Sequence, residues 1–191
     1  MASLMTAQTN GPPSDELSLT QEAATNPEAF AELYRRHLRA VYRYHLVHTA
    51  DVKDAEDLTS QTFLAALEGL RGFRGEGSFA AWLMGIASRK RAQLFRGRRP
   101  QVTLEALHEL PSDDPPTDQA ALQRLQMQSA ARALRQINRQ RAEAIILCAF
   151  AGLSCAEAGD ILHKSEAAVK MLVARGLQEL RERTSLSLEV E

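Results

Sequence analysis

The stretch AEAGDILHKSEAAVKMLVARG, residues 156–176, decides the fold, and it reads as two short helices around a tight break. Just upstream, Ser154 and Glu157 have the three-residue spacing of a capping box, in which a hydroxyl and a carboxylate satisfy amides at the head of a helix. Leu153, Ala158, Ile161 and Leu162 supply that helix's inner face; His163 and Lys164 make the turn, and Ser165 can cap the second helix. Val169, Val173, Gly176 and Leu180 then recur at spacings of four, three and four, a stripe that faces a core. This is the outline of a helix-turn-helix, although caps and apolar stripes serve any packed helical hairpin. With Val169 and Val173 inward, Glu166, Ala167, Lys170, Met171 and Arg175 point outward, where such a helix meets base edges and phosphates. Only Lys170 and Arg175 among them are positive. Duplex affinity comes chiefly from neutralised phosphates, so this helix alone would bind DNA weakly.

The rest of the chain is helical by pattern as well. Phe30, Leu33, Tyr34, Leu38, Val41, Tyr42 and Leu46 mark an amphipathic helix with Asn26 as its cap and Pro27 in its first turn. A second helix over 52–70 places Ala55, Leu58, Thr59, Thr62, Phe63 and Ala66 on one face, and its acidic start, DVKDAED, suits the positive end of a helix dipole. Gly72, Gly75 and Gly77 punctuate a loop, after which Ser78 can cap a third helix carrying Phe79, Trp82, Leu83, Ile86, Ala87 and Leu94. No strand pattern is evident. The expected architecture is all-α: a flexible tail over 1–17, a helical domain over 18–99, an acidic, proline-bearing linker over 100–118, a helix-turn-helix domain over 119–185 and a short tail over 186–191. Such a linker predicts that the two domains move independently.

The 191 residues, 25% charged and 45% hydrophobic, have the balance of an ordinary globular protein. No apolar run approaches the roughly 18 residues of a membrane span, and the start lacks the pattern of a signal peptide, so a cytoplasmic protein without membrane insertion is expected. No phosphate-binding glycine loop, GxSxG or HExxH is present; neither an enzyme nor a cofactor is expected. His45 and His48 could share a helix face but lack a carboxylate or thiol partner for a metal. Cys148 and Cys155 form no CxxC pair and read as reduced, packing cysteines.

The net charge of −1 hides a strong pattern: RKRAQLFRGRR, residues 89–99, holds six basic side chains and no acidic one, while residues 101–118 hold five acidic ones and no basic one. Six uncompensated charges on one helix call for an anionic neighbour. Phe73, Phe79 and Trp82 precede this run, and aromatics beside cations can hold unstacked bases and their backbone. The competing reading of Phe79 and Trp82 is plain core packing.

Taken in order, these parts resemble bacterial RNA polymerase sigma factors of the extracytoplasmic-function class, within the sigma-70 family. FAELYRRHLRAVYRY and DAEDLTSQTFLAAL resemble the first conserved helices; FRGEGSFAAWLMGIASRKRAQLFR looks like the promoter-melting segment, and LRQINRQRAEAIILCAFAGLSCAEAGDIL resembles the approach to the final helix-turn-helix. The resemblance covers about residues 18–183 and implies a dissociable factor that binds core RNA polymerase and recognises promoter DNA. It implies that Asp54, Glu56, Asp57, Leu58, Gln61 and Phe63 lie on or support the polymerase-binding surface. Phe73, Arg74, Ser78, Trp82, Arg89, Lys90, Arg91, Arg96, Arg98 and Arg99 would serve the minus-10 element, and Ser165, Glu166, Ala167, Lys170, Met171 and Arg175 the minus-35 element.

Departures from the family pattern are specific. Ser60 and Gln61 replace a usual Gln-Glu, Ala81 a frequent Arg, Arg89 an Asn or His, and Asn138 a usual Pro, while Met171, Leu172 and Leu177 stand where Ser, Arg and Arg are expected. Two accounts of the last change compete. Tethering to polymerase can compensate for weak minus-35 contacts, or the exposed Met and Leu residues form a surface for a partner such as an anti-sigma factor. A sigma-like interaction module and a stand-alone helix-turn-helix regulator of weak duplex affinity remain the alternative functions.

Overall fold

Asn26 and Asp51 set the frame of the first unit. The Asn26 side-chain oxygen accepts a hydrogen bond from the Glu28 amide at 2.9 Å and starts α2, Pro27–Thr49; Asp51 accepts from the Asp54 amide at 2.8 Å and starts α3, Val52–Gly69. Between them Ala50 takes a left-handed conformation, φ 53°, and its amide closes α2 on the Leu46 carbonyl at 2.8 Å. A single 3-10 turn over Leu70–Gly72 and a glycine loop lead to α4, Phe79–Gly97. The computed structural model describes residues 13–75, 77–97 and 129–188, and no strand occurs among these described residues. Leu33, Val41, Tyr44, Phe63, Phe79, Leu83 and Met84 fill the space between the helices.

One further helix, α1, Pro13–Ala23, precedes these. The expected tail over 1–17 therefore gives way to helix from Pro13, and the reason is tertiary. Glu16 reaches His37 of α2 at 2.7 Å, Thr20 is buried, and Leu17 lies against the backbone of Gly75. The local pattern of PSDELSLTQEA is too weak to announce this helix.

In the second unit residues 129–135 form α5; α6, Arg139–Ile145, follows and runs into a π turn, Ile146–Phe150. Asn138, the residue standing for the usual Pro, caps α6 by accepting from the Gln140 and Arg141 amides at 3.0 and 3.4 Å. Then come α7, Cys155–Leu162, and α8, Glu166–Leu188, with the expected capping box at Ser154 and Glu157 and a left-handed His163 in the turn. Gly159 is demanded by this turn, since a Cβ there would stand 2.6 Å from the Lys164 carbonyl oxygen. Only hydrogen fits.

Independent domains were expected, yet the described units join. The π turn lies on α2, α7 lies on α4, and one continuous set of buried residues runs from Leu33 and Phe79 to Leu147 and Val169. The basic residues Arg98 and Arg99 and the linker over 100–118 lie outside the described residues.

Candidate nucleic-acid interface

Helix α3 has two faces of different character. Leu58 and Phe63 are buried and hold the helix on the core, so of the residues expected at the polymerase surface these two support it from beneath. Glu56, Asp57 and Gln61 are exposed, and Asp54 is half-buried in the first turn. Leu64 and Leu67 are exposed on the same helix, and sequence reasoning missed them. The available signal was their displacement from the apolar stripe: each sits one position past a buried residue, Phe63 or Ala66.

Helix α4 carries the basic run beside an aromatic cluster. Phe73 packs against Trp82 with the rings tilted and centroids 5.2 Å apart, and Trp82 packs likewise against Phe79, at 5.6 Å. Phe79 is core, whereas Phe73 and Trp82 are only half-buried. The indole thereby forms one wall of an open cleft of about 340 Å³ whose other lining includes Gly69, Gly72, Arg89, Lys90 and Gln93. A flat aromatic wall with two cations at its rim suits a base and its phosphate. Arg74 and Arg96 are exposed. So is Phe95, 52% accessible within the basic run, an aromatic that sequence reasoning passed over as part of the charge block. The loop before α4 turns through left-handed Gly75 and Gly77, φ 73° and 84°, a conformation that side-chain-bearing residues rarely adopt.

Two of the expected minus-10 residues, Arg91 and Ser78, are half-buried and held by carboxylates of the second unit. Arg91 of α4 donates from Nη1 to Glu143 Oε2 of α6 at 2.8 Å, and its side chain is 13% exposed. Tyr44 donates its hydroxyl to the other Glu143 oxygen at 3.2 Å, and the Arg91 guanidinium stands 5.7 Å from the Tyr44 ring centroid. Ser78 donates to Glu157 Oε1 of α7. The arrangement is a clasp: Glu143 and Glu157 on one unit, Arg91 and Ser78 on the other. It leaves the buried Arg91 Nε without a protein partner.

One histidine of α2, His48, belongs to this clasp as a neutral group; no cluster able to hold a metal exists among the described residues. Arg91 Nη1 donates to His48 Nδ1 at 2.8 Å, and burial followed by the nearby Arg91 charge depresses the His48 pKa well below its ordinary value. His45 Nε2 lies 3.0 Å from Thr62 Oγ1, whose own proton goes to the Leu58 carbonyl at 2.7 Å. The proton between them therefore belongs to His45 Nε2. Its Nδ1 is buried without a partner, and burial pushes the His45 pKa down to about 3.

On α8, Ser165, Glu166, Ala167, Lys170, Met171 and Arg175 are exposed together, as the stripe predicts. Ser165 Oγ accepts from the Ala168 amide at 3.3 Å. Lys170 is paired with Glu166 at 2.6 Å, which thins the positive face further. Leu172 and Leu177 correct an expectation: both are half-buried and pack on the core, so of the three unusual residues only Met171, at 53%, is exposed.

Residues 33–101 match the family model of sigma-70 region 2, and residues 127–180 match that of sigma-70 region 4. The RNA polymerase sigma factor CnrH of Cupriavidus metallidurans is 29% identical over 178 residues, covering 87% of this chain and 92% of CnrH. The ECF RNA polymerase sigma factor BldN of Streptomyces coelicolor is 33% identical over 160 residues, covering 82% of this chain but 61% of BldN. Among solved structures, CnrH in complex with the cytosolic domain of CnrY superposes with a TM-score of 0.65 at 26% identity, over 90% of this chain and 97% of that one. The sigma factor RpoE in complex with the anti-sigma factor NepR from Bartonella quintana shares the fold, with a TM-score of 0.58 at 24% identity over 81% and 96%. No helix among the described residues is long and apolar enough to cross a membrane. Two sigma regions in sequence order, on helices of matching architecture, place the chain in the sigma-70 family as an extracytoplasmic-function sigma factor, a non-enzymatic protein that directs RNA polymerase to initiate transcription at promoters.

Proposed function

We propose that the chain works as a clasped sigma factor, whose region 4 carboxylates occupy region 2 groups that promoter DNA requires. The observation that carries this reading is the placement of Glu143 on Arg91 and Glu157 on Ser78. A carboxylate on an arginine occupies the donors that a phosphate would take, so region 4 and the minus-10 strand compete for the same side chain. In this reading core polymerase binds the outward face of α3 through Glu56, Asp57 and Gln61, flanked by the exposed Leu64 and Leu67. Separation of the two regions then frees Arg91 and Ser78 to join Arg74, Trp82, Arg89, Lys90 and Arg96 along the minus-10 element. The outer face of α8 meets the minus-35 duplex. Its sparse charge is tolerable because tethering on polymerase raises the local concentration of region 4 at the promoter.

CnrH was solved with the cytosolic domain of CnrY bound to it. A protein regulator that holds the clasp shut, an anti-sigma factor, suits the arrangement seen here. The chain's work on polymerase and promoter places it in the cytoplasm.

The test is run-off transcription with core RNA polymerase on a pool of genomic promoters, together with binding of a minus-10 single strand by the free protein. Transcripts from a defined promoter subset should depend on the protein. Glu143→Gln should tighten strand binding by the free chain several-fold, and Arg91→Gln should weaken transcription. Polymerase binding without any transcript would favour the interaction-module alternative, and a Glu143→Gln protein that binds the strand no better than wild type would overturn the clasp.

A further inference from the structure

Cys148 lies in the π turn that follows α6, and Cys155 is the first residue of α7. Their spacing of seven announces nothing, but the fold brings the two sulfurs to 3.9 Å. Both thiols are half-buried, within reach of a small solute and not sealed in the core. The turn between them is tight, with Gly152 left-handed at φ 77°, and it folds the head of α7 back against the π turn. A disulfide requires about 2.05 Å between sulfurs, a closure of roughly 2 Å that side-chain rotation and a slight shift of the turn can supply. No other described cysteine competes for either partner.

We propose that Cys148 and Cys155 are a redox-active pair, oxidised by a small hydroperoxide to an intramolecular disulfide and returned to thiols by a dithiol reductant. The chemistry divides the roles. Burial, reinforced by the adjacent Cys155, pushes the Cys148 thiol up to about 12 and keeps it protonated. Cys155, which heads α7 at its positive end and lies within electrostatic reach of Lys170, is the attacking sulfur. Its sulfur takes the terminal peroxide oxygen as the O–O bond breaks; the other oxygen leaves and, with the thiol proton, ends as water from hydrogen peroxide or as the alcohol from an organic hydroperoxide. Cys148 then attacks the sulfenic sulfur, the S–S bond forms, the S–O bond breaks, and the departing hydroxide leaves as water with the Cys148 proton. Two thiols lose two electrons and two protons, and one hydroperoxide is reduced.

The bond would act on a sensitive point. Cys155 follows Ser154, whose hydroxyl donates to the Glu157 carboxylate at 2.7 Å, and that carboxylate holds Ser78 of region 2. Drawing Cys155 toward Cys148 moves the first turn of α7 where it meets α4. The pair's chemistry does not depend on the promoter reading, and its assay is chemical.

The reduced full-length chain is treated with a small excess of hydrogen peroxide, alkylated with N-ethylmaleimide and mapped by mass spectrometry. Both cysteines should lose alkylation together, in a monomer lighter by about 2 Da that dithiothreitol restores. Cys148→Ser should stop at a Cys155 sulfenic acid that dimedone captures, and Cys155→Ser should leave Cys148 alkylatable at the same dose. The proposal is overturned if both wild-type cysteines remain alkylatable at a dose that oxidises the exposed Met171. Intermolecular dimers, or sulfinic acid without a 148–155 crosslink, would also overturn it. The wild-type map decides the matter even where a serine variant fails to fold.

Discussion

At the scale of single residues, the chain sets groups in places where one atom changes the outcome. Gly159 is the clearest, because helix propensity and packing oppose each other there. Alanine would gain about 1 kcal/mol in propensity, yet its Cβ would lie 2.6 Å from the backbone oxygen of Lys164, which cannot rotate away. Overpacking of this kind costs about 1–3 kcal/mol. We expect Gly159→Ala to be net destabilising for region 4, with a lower urea midpoint, and an unchanged or higher midpoint would show that the turn yields. His45 and His48 give a second prediction. Their folded pKa values lie below the ordinary 6.5, so the unfolded chain binds more protons as pH falls. The stabilisation is complete above pH 6.5 and is lost progressively below it, for His45 down to about pH 3. Each fully coupled histidine contributes a slope of about 1.4 kcal/mol per pH unit. Urea midpoints should therefore drop between pH 7 and pH 5.5, before most carboxylates titrate, and His45→Gln should flatten that drop.

At the scale of the element, α8 shows how much of a helix its pattern discloses. The stripe of Val169, Val173, Gly176 and Leu180 correctly separates its inner from its outer side, but Leu172 and Leu177 flank that stripe and the core draws them in. An amphipathic pattern locates the centre of a buried face; the partner's shape fixes its width. The consequence is a pair of opposite outcomes. Met171→Arg adds a cation to the exposed face and should tighten minus-35 duplex binding, steepening its salt dependence by about 0.9 in log–log slope if one phosphate is engaged. Leu172→Arg must instead expel a charge from a half-buried site, so it should lower the melting temperature and give no comparable gain in affinity. Duplex titration at several salt concentrations, beside thermal unfolding, separates them. The cap of α6 belongs here too: Asn138→Ala removes the acceptor for two amides and should cost about 1 kcal/mol, read as a shift in the denaturation midpoint.

At the scale of the whole molecule, the question is how two regions joined by a linker of opposite charge come to lie together. Removing one member of a buried ion pair costs about 3–5 kcal/mol, which Glu143→Gln reduces by keeping a hydrogen-bonding group. At about 1.4 kcal/mol per tenfold, even part of that cost moves the closed–open balance by more than an order of magnitude. Fluorophores on α3 and α8 should accordingly report a longer separation in Glu143→Gln than in wild type, and core polymerase should lengthen it in both; equal distances in all four states would count against the clasp. What the sequence by itself determined is what is encoded within a turn or two of chain: the caps at Asn26 and Ser154, the acidic start of α3, the helix-turn-helix, the basic run and the order of two sigma regions. The tertiary structure alone decided that Arg91 meets Glu143, 52 positions away, that Ser78 meets Glu157, 79 away, and that two unremarkably spaced cysteines share a contact. Periodicity and capping act between neighbours three or four residues apart and leave a visible pattern. Long-range pairs are chosen by the packing of whole helices, and no local spacing records that choice.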